Sequence, residues 1–539
     1  MSGPASQTAV APSGALHRRA AALGAALGAL IGWRRYLLSL ILGGFAAGAL
    51  PPLYLLPLLW PAFTGLLWLL DGAARRREAF FIGWAFGTGH FVAGLYWVRI
   101  AFFVDADRFG VFAPAAVLGL SAGLALFPAA AVLLLQMSGW RGAARLFLLA
   151  GLWLLAEWLR GWLLTGFPWN LMGTVWVFSD SAIQLASVAG VWGLSWLTVL
   201  FAAAPALLGE PGEQTSGGTR RRLLLTLALA VIGPALLWAG GALRLAAAPD
   251  AGSDRVPGVT LRLVQPSIEQ ALKWHPELRQ KHVADQMTMT VEPGFEKITH
   301  VIWAETAVPF FLANEDALRR AIAPIVPPDG YLVTGAPRSE EERRERRLWN
   351  ALHAMDREGA VVATYDKVKL VPFGEFVPLR SWLGFAKLTT GGSDFTAGPG
   401  RVTIDLPGLP PFSPLICYEV IFPGGVTAPD ERPQWLLSVT NDAWFGTSSG
   451  PYQHFANARL RAVEEGLPMV RVANNGITAV VDGYGRVLSR LGQNHRGLID
   501  THLPQAIESA TIFATTSNYM VIVILFVTAI LCFLTCRNA

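Results

Sequence analysis

The sequence predicts a membrane α-helical bundle joined to one water-soluble α/β domain. Two observations carry that expectation. The chain of 539 residues is 53% hydrophobic and only 15% charged, where a soluble protein carries about a quarter charged residues, and the apolar excess is confined to about 20–245 and 518–536. The stretch between, about 250–515, has the charge and turn content of a globular domain and alternates strand-like with helix-like runs, the pattern of a layered α/β fold.

Residues 1–19 are small and polar and end in His17, Arg18 and Arg19. Ala20 to Trp33 is apolar but short of the ~20 residues a spanning helix needs, so it is expected as an interfacial or extension helix. Eight transmembrane helices are expected near 36–50, 53–70, 79–103, 111–136, 146–165, 181–208, 223–244 and 518–536. Arg34-Arg35, Arg75-Arg76-Arg77, Arg141 with Arg145, Arg220-Arg221-Arg222 and Arg537 flank these spans at alternate loops, whereas Pro51-Pro52, Asp105 to Gly110 and Gly166 to Asp180 carry little positive charge. Cytoplasmic loops are the ones enriched in Lys and Arg, so both termini are expected in the cytoplasm and the α/β domain on the opposite, periplasmic face. The expected divisions are an extension at 1–33, a seven-helix bundle at 34–245, the soluble domain at 246–515 and a last membrane helix with its tail at 516–539. The net charge of +5 therefore reads as topology signal and not as a nucleic-acid surface. Three cysteines exclude a disulfide framework, and Cys532 and Cys536 read as small membrane residues.

Within the soluble domain, strands are expected at Val259 to Val264, His300 to Ala304, Tyr331 to Thr334, Ala360 to Tyr365, Leu415-Ile416, Trp435 to Val439, Met469 to Ala473, Ile477 to Asp482 and Arg486 to Leu491, with helices at Glu277 to Val291, Ala317 to Ile325 and Tyr452 to Glu465. The turn Asp482-Gly483-Tyr484-Gly485 is a hairpin signal. No metal-ligand spacing or nucleotide-binding glycine fingerprint is present, and no cofactor is expected.

Three polar residues each follow a strand: Glu305 in IWAETAVP, Lys367 in YDKVKLVPFGEFVP and Cys417 in SPLICYEVIFP. Strand ends on one sheet edge converge, and α/β folds place their sites there. The trio suits acyl transfer: a thiol as nucleophile, a carboxylate to take and return its proton, and an ammonium, with the Tyr418 backbone N–H, to stabilise an oxyanion. None of the nine histidines occupies a comparable place. Read alone, Cys417 is a small buried hydrophobe, Glu305 and Lys367 a surface ion pair of little consequence, and Glu375 the cap of a turn. The loop LRGWLLTGFPWN, with Trp162, Phe167 and Trp169, reads as an aromatic belt at the membrane–water boundary or as an arm touching lipid.

The order Glu, Lys, Cys resembles the nitrilase superfamily. The longer motifs LRGWLLTGFPWN, QPSIEQALKW, IWAETAVP, YDKVKLVPFGEFVP, ICYEVI, NDAWFG and VANNGITAVV resemble the apolipoprotein N-acyltransferase family of bacterial inner membranes, over nearly the whole chain. The resemblance implies an αββα nitrilase-like sandwich, with Glu305 as general base, Lys367 as oxyanion-stabilising residue and Cys417 as nucleophile. It implies Glu375, Tyr418, Glu419 and Trp274 as supporting residues, and Trp444, Phe445 and Trp169 as lid or lipid contacts. It also implies a ping-pong reaction: Cys417 takes the sn-1 acyl chain of a phospholipid, typically phosphatidylethanolamine, as a thioester and passes it to the N-terminal α-amine of a diacylglyceryl-cysteine apolipoprotein. A monomer is the expected state. The N-terminal extension and the charged insert Arg338 to Arg347 depart from the motifs without touching them. A membrane-anchored amidase, transferring to water, is the alternative enzyme. A non-catalytic module on a transporter is the alternative outside enzymes, and Glu157 in LLAEWLRGW is the one intramembrane acid that would favour it.

Overall fold

The computed structural model describes residues 12–210, 216–342, 345–378 and 394–536. Expectations that fall on 1–11 and on Arg537 lie outside the described residues. Among the described residues, five helical stretches are long and apolar enough to cross a membrane: Ala106–Ser138, Gly142–Arg160, Ala182–Gly209, Gly218–Ala246 and Tyr519–Cys536. Trp33–Gly48 and Leu59–Asp71 are shorter helices packed among them, as is Arg76–Leu95, which has 20 residues but is not apolar enough to be counted with the five. Eight spans are therefore not all evident by length and apolarity. The expected span at 111–136 is divided at Ala125 into Ala113–Leu124 and Leu126–Ser138. The apolar run at Ala20 belongs to a helix, Pro12–Gly28, packed against Leu59–Asp71.

Small residues let the helices approach closely, as expected where lipid gives no hydrophobic drive to associate. A Cβ on Gly43 would collide with the Phe86 carbonyl, and one on Gly89 with that of Leu40, which fixes helix Trp33–Gly48 against Arg76–Leu95. Arg35, Arg141 and Arg145 make ion pairs within the bundle. Arg35 Nη1 pairs with Glu78 at 3.1 Å, and Arg141 and Arg145 both pair with Asp71.

Among the described residues, the region between the apolar helices contains twelve strands: β1 Arg255–Gln265, β2 His300–Trp303, β3 Leu332–Glu342, β4 Glu345–Met355, β5 Val361–Asp366, β6 Ile404–Leu406, β7 Leu409–Ile416, β8 Trp435–Thr440, β9 Met469–Ala473, β10 Thr478–Val481, β11 Val487–Leu491 and β12 Gly497–Pro504. They form two six-stranded sheets, ordered β12-β1-β2-β3-β4-β5 and β11-β10-β9-β8-β7-β6. Strands β1, β2 and β3 run parallel, as do β7, β8 and β9. The inner faces pack on each other through Leu261, Leu263, Ile302 and Val333 on one side and Phe412, Ile416, Leu437 and Val472 on the other. Helices Arg279–Thr290 and Asp316–Ile322 cover the first sheet with Val283, Met289 and Ile322. Strands β4, β6 and β12 were not expected from the sequence. The described residues of the charged insert, Arg338 to Glu342 and Glu345 to Arg347, pair as the ends of β3 and β4; 343–344 lie outside the described residues.

Helix Gly450–Glu465 covers the second sheet and is buried along its whole length. Phe455, Ala458 and Ala462 pack on the sheet, while Ala456, Leu460 and Val463 join the bundle core. The bundle is fastened to it at a kink: Gly190 has φ 63°, and the next N–H, of Val191, donates to Glu464 Oε1 at 2.8 Å.

Candidate active site

Strand ends bring the site together. Glu305 lies two residues past β2, Lys367 directly past β5 and Cys417 directly past β7. Lys367 is 1% exposed; its Nζ stands 2.9 Å from Glu375 Oε1 and 3.7 Å from Glu305 Oε1. Asn350 of β4 donates through Nδ2 to Glu305 Oε1 at 2.7 Å and to Glu375 Oε1 at 2.9 Å. The other Glu305 oxygen, Oε2, accepts from the Asn441 backbone at 2.8 Å. Glu375 also accepts from Val371 N at 2.8 Å, so it caps its turn and binds Lys367 at once. Burial works against the Lys367 ammonium, but Glu375 and then Glu305 hold its pKa well above the ordinary lysine value.

Cys417 opens the short turn Cys417–Ile421 with φ 54°, a left-handed conformation that costs a non-glycine residue about 1–3 kcal/mol. Glu419 holds that turn. Its Oε2 accepts from Ile416 N at 2.7 Å, and its Oε1 accepts from Tyr365 Oη at 2.8 Å, Val368 N at 2.7 Å and Lys369 N at 3.1 Å. One carboxylate thus joins the Cys417 turn to the segment after Lys367. Burial, then the Glu305 charge, pushes the Cys417 thiol well above its ordinary pKa, while Lys367 opposes the shift. A thiol so placed stays protonated near neutrality and requires a base to react. Burial likewise raises Tyr418, whose hydroxyl donates to Gly166 O at 2.7 Å, tying the site to the LRGWLLTGFPWN loop.

The other expected residues differ in their burial. Trp274 is half-buried at the end of the helical turn Gln270–Lys273. Trp444 and Phe445 are half-buried in the turn Asp442–Phe445. Trp169 does not lie at an exposed boundary: it is 1% exposed, between Trp97, Phe445, Phe167 and His454. Its indole N–H donates to Gln453 Oε1 at 2.8 Å, and Trp97 donates to the same oxygen at 3.0 Å. Trp162 is exposed, as a belt residue would be. Glu157 is buried and accepts from Met172 N at 2.8 Å and Trp153 Nε1 at 3.2 Å.

Three groups were missed from the sequence. Lys273, in ALKW, is buried and donates from Nζ to the Glu305 main-chain oxygen at 3.0 Å. Asn350 bridges the two glutamates. His454, on a helix and not at a strand end, reaches the Cys417 main-chain oxygen through Nε2 at 3.0 Å. Chemically, the centre combines a buried thiol, a carboxylate held by two donors and a cation locked between carboxylates, a set suited to nucleophilic attack on a carbonyl.

Residues 42–204 match the apolipoprotein N-acyltransferase N-terminal domain, and residues 329–511 match the carbon-nitrogen hydrolase domain. The chain is 41% identical over 500 residues to an apolipoprotein N-acyltransferase of Rhodopseudomonas palustris, across 90% of this chain and 92% of the relative. It is 43% identical over 493 residues to one of Allorhizobium ampelinum, across 87% of this chain and 90% of the relative. Among solved structures, a Nesterenkonia AN1 amidase from the nitrilase superfamily is similar at 21% identity and a TM-score of 0.34, across 46% of this chain and 93% of that chain. The two family matches and the relatives' coverage lead to one conclusion, that the chain belongs to the apolipoprotein N-acyltransferase family.

Proposed function

We propose that the protein N-acylates apolipoproteins by a two-step transfer through Cys417. Glu305 takes the Cys417 proton, and the sulfur attacks the sn-1 ester carbonyl of a membrane phospholipid, phosphatidylethanolamine being the favoured donor. Lys367 and the Tyr418 N–H stabilise the oxyanion. The C–O bond breaks, the proton goes to the leaving alkoxide, and a lysophospholipid departs. The α-amine of a diacylglyceryl-cysteine N-terminus then attacks the thioester. Glu305 takes the amine proton and returns it to the thiolate, leaving an amide and free Cys417.

The observation that carries this reading is the pairing of Glu305, Lys367 and Cys417 on a domain packed against apolar helices. Extracting an acyl chain into water costs about 0.8 kcal/mol per CH₂, so a site at the headgroup plane avoids a prohibitive barrier. The Trp444–Phe445 turn and Trp169 would exclude water from the thioester. The reading places eight spans in the inner membrane of a monomer, the domain at 246–515 in the periplasm and both termini in the cytoplasm.

The test incubates the purified protein with phosphatidylethanolamine and no acceptor and maps peptide masses. A fatty-acyl adduct on Cys417, released by neutral hydroxylamine and absent in Glu305→Ala, is expected. Bound but unmodified lipid would overturn the two-step route. Adduct lost faster to water than to a lipopeptide amine would make the protein an amidase-type hydrolase instead.

A further inference from the structure

Beyond the glutamates and the lysine, a buried histidine reaches the main chain of the nucleophile. His454 lies on helix Gly450–Glu465 and is fully buried. Its Nε2 is 3.0 Å from the Cys417 main-chain oxygen. A carbonyl only accepts, so Nε2 carries the proton, whether the ring is neutral or charged. On the other edge of the ring, Nδ1 lies 2.9 Å from Asp442 Oδ1 and 3.0 Å from Arg471 Nη2. Asp442 is fixed in turn by Arg471 Nη2 at 2.8 Å and by the Thr440 hydroxyl at 2.8 Å, and all of these groups are buried. Thr440 closes β8, Asp442 follows it and Arg471 sits in β9, so sheet and helix converge on one carbonyl. Trp169 and Phe445 wall the ring at centroid distances of 5.4 and 5.8 Å.

That carbonyl belongs to the peptide unit whose other end is the Tyr418 N–H. The unit is planar and trans, so its C=O and N–H point in opposite directions. A hydrogen bond that fixes the first therefore aims the second. The Tyr418 N–H stands in the first turn of Cys417–Ile421, where helical N–H groups lack partners within their own helix. A flip of this peptide, through ψ of Cys417 and φ of Tyr418, would turn the N–H away.

We propose that His454, anchored by Asp442 and Arg471, is a positioning residue that holds the 417–418 peptide so that the Tyr418 N–H faces the developing oxyanion; this rests on the acyl-transfer reading. His454 takes no proton from the thiol and touches no substrate. Its contribution appears only in steps that form an oxyanion at the Cys417 sulfur.

Full-length protein in nanodiscs containing phosphatidylethanolamine tests this through two rates at Cys417. Alkylation by iodoacetamide needs the sulfur but forms no oxyanion, whereas acylation by the phospholipid forms one. Loss of one oxyanion donor costs about 10²–10³ in rate, and a comparable fall in acylation is expected for His454→Met. Alkylation stays near the wild-type rate. His454→Gln, whose amide N–H can reach the same carbonyl, recovers most of the acylation. In the acyl-enzyme, the infrared band of a ¹³C-labelled thioester carbonyl moves to higher wavenumber in His454→Met than in the wild type, as its hydrogen bonding weakens. Equal falls in both rates, or no fall in acylation, overturn the proposal. Should His454→Met fail to fold, Asp442→Asn keeps the imidazole but weakens both its anchor and the buried Arg471 pair, so alkylation at the wild-type rate is the control that the centre is intact. A selective, smaller loss of acylation is then expected, and unchanged acylation overturns the proposal. A wild-type protein that alkylates normally and never acquires an acyl group overturns the underlying acyl-transfer reading as well, and is told apart from failure of the positioning role alone by the wild-type control.

Discussion

Lys273 Nζ donates to the main-chain oxygen of Glu305 at 3.0 Å, and the lysine is 1% exposed. A second route joins the same segments, since Gln270 Oε1 accepts from Asn441 Nδ2 at 2.7 Å and Asn441 N donates to Glu305 Oε2 at 2.8 Å. Burial lowers the Lys273 pKa from 10.5 to about 8, with Glu305 and Cys417 opposing. Between those two pH values the unfolded chain holds a proton that the folded one has released. Stability contributed by this group therefore rises with pH across that window and is flat below it. Lys273→Met removes the rise. The difference in thermal midpoint, wild type minus Lys273→Met, should grow steadily from about pH 8 to 10.5. A flat difference would mean that Lys273 titrates as an exposed lysine does.

Glu305→Gln should move two readouts of Cys417 in opposite directions. Burial and the Glu305 charge both raise the thiol pKa. Removing that charge lets the thiol ionise more readily, so the pH profile of iodoacetamide alkylation shifts to lower pH. Acylation by phospholipid falls by about 10²–10⁴, the usual worth of a positioned general base. Alkylation and acylation that fall together would assign Glu305 a structural role only.

Lys367 is the one cation within salt-bridge reach of both Glu305 and Glu375 among the described residues. Lys367→Met leaves two buried carboxylates sharing the Asn350 amide, and breaking a buried pair from one side costs about 3–5 kcal/mol. The double variant Lys367→Met/Glu375→Gln removes one of the stranded charges. It should regain stability and remain inactive in acylation, because the oxyanion partner is still missing. Unfolding in mixed micelles gives the first quantity and adduct mapping the second. Recovery of acylation along with stability would separate Lys367 from the chemistry.

Glu305, Lys367 and Cys417 were legible because each closes an apolar β run, a local signal. The groups that complete the site follow different rules. Lys273 sits in a short helical turn that reads as surface, and its burial depends on a carbonyl 32 positions away. Asn350 lies in β4, which begins with charged residues because it is one arm of an extended hairpin. His454 is on a helix whose outer face meets the bundle instead of water, so no polar face marks its orientation. Trp169 obeys the aromatic-belt rule in sequence and escapes it in space because Gln453, 284 positions later, accepts its indole N–H. In the bundle, hydropathy located the apolar stretches but not the break at Ala125, which adjoins the Leu124 carbonyl that Pro128 cannot bond, or the kink at Gly190, which depends on contacts between segments.

Gln453 carries the last prediction. Its Oε1 accepts from Trp97 at 3.0 Å and Trp169 at 2.8 Å, while its Nε2 donates to Gly94 O at 3.2 Å. One side chain of the soluble domain therefore pins two tryptophans of the bundle beneath Phe445, whose ring lies 4.5 Å from that of Trp97 and 5.8 Å from that of Trp169. Gln453→Leu strands two buried indole N–H groups, at about 1–3 kcal/mol each. Gln453→Glu keeps an acceptor for both indoles and, in acid with its carboxyl protonated, a donor towards Gly94 O as well, so there it should cost less. If this cluster also seats the Phe445 turn over the thioester, Gln453→Leu should release free fatty acid from the acyl-enzyme faster than the wild type does, with Gln453→Glu in between. Unfolding in mixed micelles tests the order of stability, and fatty-acid release without acceptor tests the seal. A stability loss in Gln453→Leu with unchanged release would confine the cluster to holding the two domains together.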